Sequence, residues 1–518
     1  MYSLRIGDYR FCKGEDTVRA MVRKIGLMLT VQLMLGFGGM SPALAQQPPT
    51  AETDATAARI AYLEAQIRKM DERLALLEQM LGERSDGLVA SIGAIPAAAI
   101  EPRTPPAVPA APIAPPAVPA TQVAAAAFVD AGPEGFAIQS PEGDFRLGIQ
   151  YQMHVDGRFA VDRNEVTDPN SFFLRRTQAI LDGTLYERFH VRFLSDFGQG
   201  RARVNDAYID SRFHTALSIR AGKFKAPVGL ERLRSGMGLA LMERALPTQL
   251  VPNREIGVQL SGNWAEEMFS YAVGVFDGAL DGSNTDGNTG DQKVFHARLM
   301  TQPFLRSTIA ELSGLAFGVG GSYGDIVGDA ASPTLPGYET SGGREFFRYR
   351  SDGSSAGTTV ADGLHYRFSP QGYLYVGPFG LMTEYVRSAH GVRRGSATAM
   401  MNHSSWQVMS SYVLTGDDGT YSGVTPDRPF NPELGHWGAL ELAARYTELN
   451  PDAEALPVYS DPEESASKAK AWALALTWYL NRNVKLVLGY EQTKFEAAAP
   501  GATFDTEKLF QQRFQLRF

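Results

Sequence analysis

The stretch RLGIQYQMHVD, residues 146–156, places Leu147, Ile149, Tyr151, Met153 and Val155 on one parity and Gly148, Gln150, Gln152, His154 and Asp156 on the other. Side chains alternate across a strand, so the segment predicts a β-strand with one apolar and one wet face. The same period returns at Val191 and Phe193, along Phe269, Tyr271, Val273 and Val275, from Trp472 through Leu474, Leu476 and Trp478 to Leu480, and along Val484, Leu486, Leu488 and Tyr490. Connections between such stretches are of two kinds. Tight ones, Tyr186-Glu187-Arg188 and Asn481-Arg482-Asn483, are interleaved with long polar ones at residues 277–291 and 415–435. Short turns on one rim and long loops on the other describe an all-β transmembrane antiparallel β-barrel whose greasy face meets lipid. Residues 146–518 hold roughly 15 to 17 candidate strands, and a single-chain barrel closes on an even number, so sixteen is expected.

Composition agrees. The 518 residues include 52 Gly, 28 Phe and 20 Tyr, which suits many strands and turns. Lys and Arg number 49 against 57 Asp and Glu, and the net charge of −8 disfavours nucleic acid as a partner while leaving room for a local basic site. Cys12 is the sole cysteine, so an intramolecular disulfide and a cysteine-based metal knuckle are excluded.

Three segments precede the barrel region, residues 140–518. In residues 1–45, Arg19, Arg23 and Lys24 lead into an apolar run at 25–40 and then Ala43-Leu44-Ala45, the pattern of a secretory signal peptide cleaved after Ala45; Met21 begins an equally well-formed signal. Losing that segment removes six basic and three acidic residues and takes the net charge to −11. Ile60, Leu63, Ile67, Met70, Leu74, Leu77 and Leu81 then recur at alternating spacings of 3 and 4. They form the seam of a self-associating coiled coil over residues 52–84, with the number of chains open and a trimer permitted. Residues 95–127 are mostly Ala and Pro, an extended spacer without a core.

Catalytic motifs are thin, and the chain does not read as an enzyme. Ser322 sits in a GxSxG match at residues 320–324, but the loop-like residues 325–336 follow where a nucleophile elbow needs a helix. The eight histidines lack paired metal-ligand spacing, and the acids of residues 277–291 miss calcium-loop positions, so that segment reads as a solvated outer loop. No metal or cofactor is implied.

Arginine carries more. In GREFFRYR, residues 343–350, Arg344, Arg348 and Arg350 share one face if the segment is extended, and Arg367 lies a short way onward. Toward lipid each would cost roughly 2 to 4 kcal/mol near the midplane, so a lumenal face is predicted. Arg175, Arg176 and Arg192 add charge on early strands; adjacent arginines cannot both face inward on a regular strand, so one of the first two belongs at a rim or a bulge. Between residues 224 and 256 lies a long connection carrying Lys225, Arg232, Arg234, Arg244 and Arg254 against Glu231, Glu243 and Glu255. A loop of this length folding inward would narrow the pore, and fixed guanidinium groups on a narrow wet path favour anions.

The chain ends LFQQRFQLRF, a terminal strand closing on Phe518 that resembles the signal read by the assembly machinery of Gram-negative outer membranes. With FFLRRTQAILDG at 172–183, NDAYID at 205–210, GKFKAPVGLERL at 222–233, ERALP at 243–247, PNREIGVQLSG at 252–262, SGGREFFRY at 341–349 and GALELAARYTELN at 438–450, the sequence resembles the phosphate-selective porin O and P family. The resemblance implies a trimer of sixteen-stranded barrels in the outer membrane of a Gram-negative bacterium, with a periplasmic N-terminal coiled coil. It also implies a phosphate or polyphosphate path with an arginine ladder at Arg344, Arg348 and Arg350. A constriction would draw on Arg175, Arg176, Arg244 and Arg254 with Asp206 or Asp210 as acidic partner, and Arg192, Lys223, Lys225, Arg232 and Arg234 are further candidates for it.

The expected function is therefore a passive, anion-preferring channel for phosphate-like inorganic anions. A general or sugar-oriented porin is the alternative within transport. A structural tether, with the barrel as anchor and the N-terminal segments contacting the cell wall, is the alternative from another class.

Overall fold

The computed structural model describes residues 127–161, 170–287 and 291–518. The signal peptide, the heptad seam with its cell-wall role, and all of the Ala/Pro spacer but its last residue lie outside them. Sixteen strands make the barrel. They are β1 (Phe145–Ala160), β2 (Ser171–Leu185), β3 (Phe189–Asp196), β4 (Arg203–His214), β5 (Leu217–Lys225), β6 (Arg254–Trp264), β7 (Phe269–Phe276) and β8 (Val294–Thr301). The second half comprises β9 (Leu315–Val327), β10 (Val360–Val376), β11 (Phe379–Arg394), β12 (Ala397–Val413), β13 (Ala439–Asn450), β14 (Ala466–Tyr479), β15 (Val484–Ala497) and β16 (Glu507–Arg517). Each pairs antiparallel with the next, and β16 closes on β1 from Leu509↔Ala160 to Arg517↔Gln152. Closure leaves the barrel itself without a free edge, which a lipid-exposed sheet requires.

Burial is inverted relative to a soluble sandwich. Leu474 on β14 is 46% exposed and Phe514 on β16 is 42% exposed, whereas Arg513 beside Phe514 is 2% exposed. On β1, Leu147 and Ile149 face out while His154 and Asp156 are buried, as the parity of residues 146–156 predicts. Aromatic side chains cluster at the rim of short turns, where Phe145 meets Tyr186, Trp264 meets Phe269, and Phe430 meets Trp437 and Trp478. Rings with one apolar and one polar end suit the membrane–water boundary.

Three features depart from the sequence reading. The sheet starts earlier than residue 140: a hairpin of Phe128–Gly132 and Gly135–Gln139 pairs along β1 from Phe136↔Ile149 to Gln139↔Arg146. It occupies the part of the β1 edge that β16, ending at Phe518, does not reach, and Glu134 at its turn pairs with Arg482 and Arg517. Second, the long connection at 415–435 joins β12 to β13 and so lies on the short-turn rim, while the opposite rim has a tight turn at Gly395 between β11 and β12. Its hairpin, Gly419–Thr420 with Gly423–Val424, sets Tyr421 stacked on Tyr373 at 4.8 Å. Third, residues 277–291 are not a purely solvated loop. Asp281 is buried and accepts from Arg367 at 2.6 Å, because an inward-facing guanidinium on β10 needs a counter-charge.

Placing a charge on the outer wall tests the inverted pattern. Leu474→Arg should lower folding free energy into lipid vesicles by about 2 to 4 kcal/mol in urea titrations, and a cost near zero would place that face against water.

Candidate functional site

Residues 226–253, between β5 and β6, run through the barrel interior with only the short helix Leu230–Leu233 and two single 3-10 turns as regular structure. Irregular backbone at this depth needs partners from the wall. Glu384 on β11 accepts the backbone N–H groups of Leu230 and Glu231 at 2.6 and 3.2 Å, and the Glu231 carboxylate accepts from Ala245 N at 2.8 Å. Loop carbonyls receive wall donors in turn: Gln371 to Val228, Lys485 to Leu239, Thr477 to Ala240, Arg513 to Met242 and Arg445 to Glu243, all at 2.7 to 3.1 Å. Leu230, Leu241 and Met242 pack with Met382 and Met409 of the same wall. From the short-turn rim, the Tyr421 hydroxyl donates to the Leu230 carbonyl at 2.6 Å.

The loop therefore packs on the side of the lumen bounded by β10–β16 and leaves a cavity of about 1350 Å³ lined mainly by β1–β6 and the loop, with Arg445, Glu491 and Arg517 also on its wall. Arg175, Arg176, Arg192, Lys223, Lys225, Arg232, Arg244, Arg254 and Asp206 all line it. Arg175 and Arg176 both do so because the β1–β2 register slips there: Arg176 lies opposite His154, Leu174 opposite Val155, and Arg175 is the extra residue of a bulge. The turn at Gly198–Gly200 backs that bulge, since a Cβ at Gly198 would lie 2.8 Å from the Arg175 carbonyl oxygen.

The cations divide by partner. Arg175 donates to both oxygens of Glu243 at 2.7 and 3.1 Å, Arg254 donates to Asp206 at 2.7 Å, Arg192 approaches Asp182 at 3.5 Å, and Lys223 pairs with Asp286. Burial pushes the Glu243 carboxyl up, but Arg175 and Arg513 outweigh it and hold the group well below the usual carboxylate range. Four other cations have no ion pair with a carboxylate among the described residues. Lys225 donates to the carbonyls of Leu233 and Arg234, Arg244 to those of Glu231 and Arg234, Arg232 to that of Thr248, and Arg176 to the imidazole of His154. Carbonyl and imidazole acceptors orient a cation without cancelling its charge, so these four give the cavity a locally positive wall.

Other predicted residues lie elsewhere. Arg234, within the loop, is buried and lies over the Tyr421 ring at 5.6 Å rather than on the cavity. Asp210 pairs with Arg220 and Arg212 in a second cavity of about 570 Å³ beside the short turns. The proposed ladder does not stand on a wall strand. Only Glu345–Phe347 is extended, paired with Tyr338–Glu339 inside the connection between β9 and β10. Phe346, Phe347 and Tyr349 are buried in one apolar cluster, while Arg344 turns to the Asp505 carbonyl, Arg348 to Glu464 and Arg350 to Asp461, among the long loops. Arg367 does face inward from β10, but Asp281, Ser322 and the Ala279 carbonyl occupy its guanidinium. Ser322 itself is mid-strand on β9, away from any strand–turn–helix junction.

Sequence reasoning missed the inner-wall residues that hold the loop, among them Glu384, Arg445, Arg513 and His154. Their strand parity was the available signal: Arg513 alternates with Phe514, and Arg445 with Tyr446, in otherwise greasy stretches.

The family described as phosphate-selective porin O and P matches residues 145–518. Porin O of Pseudomonas aeruginosa is 24% identical over 411 residues, covering 74% of this chain and 90% of its own. Among solved structures, the outer membrane channel DcaP of Acinetobacter baumannii is similar at 10% identity and a TM-score of 0.47, over 73% of this chain and 99% of its own. An anion-selective porin from Comamonas acidovorans is similar at 8% identity and a TM-score of 0.44, over 72% of this chain and 100% of its own.

Arg445→Leu should destabilise the protein by about 3 to 5 kcal/mol in urea titrations, because Glu231 and Glu491 lose the guanidinium at 3.7 and 3.0 Å. The same variant should flicker in single-channel records as the loop loses a latch. Acidification has the opposite expectation at Glu243: with its carboxyl held down, the pair with Arg175 survives until pH falls through the depressed value. Open-channel current should therefore show no step from this pair between about pH 8 and about pH 5.

Proposed function

Because the chain belongs to the phosphate-selective porin O and P family, outer-membrane channels of Gram-negative bacteria, we propose that it passes phosphate-like inorganic anions passively through the cavity beside residues 226–253. One observation carries the reading: Arg176, Lys225, Arg232 and Arg244 stand on that cavity with neutral acceptors and, among the described residues, no paired carboxylate. Planar guanidinium groups replace part of an oxyanion's hydration through paired N–H donors, and they do so best where the path is narrow. The carboxylate-paired cations Arg175, Arg254 and Lys223 supply weaker neighbouring sites, and flux requires weak sites in series rather than one tight one. Asp206, held by Arg254, would accept a hydrogen bond from the O–H of a protonated phosphate.

The N-terminal segments fit this role as assembly elements. On this proposal, cleavage after Ala45 frees a periplasmic coiled coil at residues 52–84, the Ala/Pro segment at 95–127 spaces it from the barrel, and three copies associate. A solved structure similar to this chain, OmpT of Vibrio cholerae, is described in a trimer form, at 10% identity and a TM-score of 0.46. Cross-linking of the intact protein in detergent before and after deletion of residues 52–84 tests the segment's contribution.

The decisive measurement is reversal potential in a KCl gradient, with phosphate block of the chloride current. Wild type should prefer chloride. Arg176→Gln with Arg232→Gln should lower the anion-to-cation ratio roughly tenfold, about 1.4 kcal/mol of lost electrostatic preference. Arg344→Ala with Arg348→Ala, among the outer loops, should change it by less than about twofold. Unchanged selectivity in the first pair would remove the constriction from the pathway.

A further inference from the structure

Arg176 differs from its neighbours in how it is aimed. Arg175, Arg254 and Arg192 each point at a carboxylate. The Nη1 group of Arg176 instead faces Nδ1 of His154 at 3.1 Å, directly across the β1–β2 pair. A guanidinium can only donate, so Nδ1 is the unprotonated nitrogen and the ring proton sits on Nε2, which meets Met237 Sδ at 3.3 Å. Both ring nitrogens are thereby used and the imidazole is neutral. His154 is fully buried. The loop completes the seat: a Cβ at Gly236 would lie 3.0 Å from Arg176 Nη1, so the glycine lets the backbone pass against the guanidinium just before Met237 engages the ring. No other acceptor among the described residues meets Arg176, and its side chain lines the cavity.

We propose that His154 is a positioning residue for anion selectivity: it aims Arg176 into the path through a neutral acceptor and so leaves the full positive charge to the solute. A carboxylate in its place would orient the same guanidinium and cancel it, as Glu243 does for Arg175. An apolar side chain would leave it unaimed. The inference rests on the proposed anion preference of the cavity, and the wild-type measurement tests that preference separately.

The test uses the full-length protein in planar bilayers, with chloride-to-potassium permeability ratios and inorganic phosphate block for wild type, His154→Gln, His154→Asp, His154→Leu and Arg176→Gln. Glutamine restores a neutral acceptor, so His154→Gln should stay within about twofold of wild type. His154→Asp should lower the ratio about fivefold, matching Arg176→Gln, and the Asp/Gln double variant should fall no further. His154→Leu should weaken phosphate block by about fivefold with little added charge effect, and it keeps the question answerable if the aspartate variant fails to fold. Heat-modifiable mobility on gels reports folding of each. A wild-type ratio retained in His154→Asp while Arg176→Gln lowers it would overturn the inference. So would His154→Gln falling as far as His154→Asp, since that pattern belongs to simple packing, and so would phosphate block unaltered in His154→Leu. A wild type without anion preference would instead bring down the proposed function itself.

Discussion

Unpaired backbone cannot lie at bilayer depth unless something in the protein answers its carbonyl and amide groups, and residues 226–253 meet that demand through side chains of the opposite wall. Gln371, Lys485, Thr477, Arg513 and Arg445 act as donors to successive loop carbonyls, and Glu384 takes two amides. The position of the cavity follows from this. With the loop fastened to β10–β16, the larger cavity opens mainly toward β1–β6, and the cations of β2, β5 and the loop converge there. The latch also explains why so many buried charges occur inside one barrel. Arg445 and Arg513 each serve a carbonyl and carboxylates together, so neither is left as an isolated ion.

A chain with an excess of acidic residues can still present a positive path, because selectivity is set over the few ångströms that a solute crosses rather than by the sum over the surface. Acidic side chains inside the barrel are mostly committed to a cation or to loop amides: Asp156 to Arg513, Asp206 to Arg254, Glu243 to Arg175 and Glu384 to the loop. Cations held by carbonyls or by imidazole keep their charge. The asymmetry of acceptors, more than a count of arginines, separates the cavity from the exterior.

Much of this was legible in the sequence. Period-two stretches gave the wall, the count of candidate strands with even closure gave sixteen, and the adjacency of Arg175 and Arg176 called for a rim or a bulge, of which the register slip supplies the bulge. The long connection after residue 225 was correctly set inside the lumen. Other parts were not legible, for physical reasons. An extended segment such as Glu345–Phe347 has the same alternation whether it joins the wall or folds within a loop, and long-range packing of Phe346 and Tyr349 decided between them. Loop length alone does not reveal a rim; the residues at 415–435 lie with the short turns because a tight turn at Gly395 intervenes. His154 read as one more lumenal polar residue, since its importance lies in facing Arg176 across two strands, a relation that register alone discloses.

The hairpin ahead of β1 has a bearing on how the molecule comes together. Glu134 reaches Arg517, and Phe136 packs edge-on against Phe518, so the two ends of the described chain meet at one seam. Glu134 and Arg517 stand 383 residues apart, and contacts of that separation can form only once β16 has arrived. Biogenesis thus finishes like a zip fastener whose slider must travel the whole circumference before the clasp can be hooked.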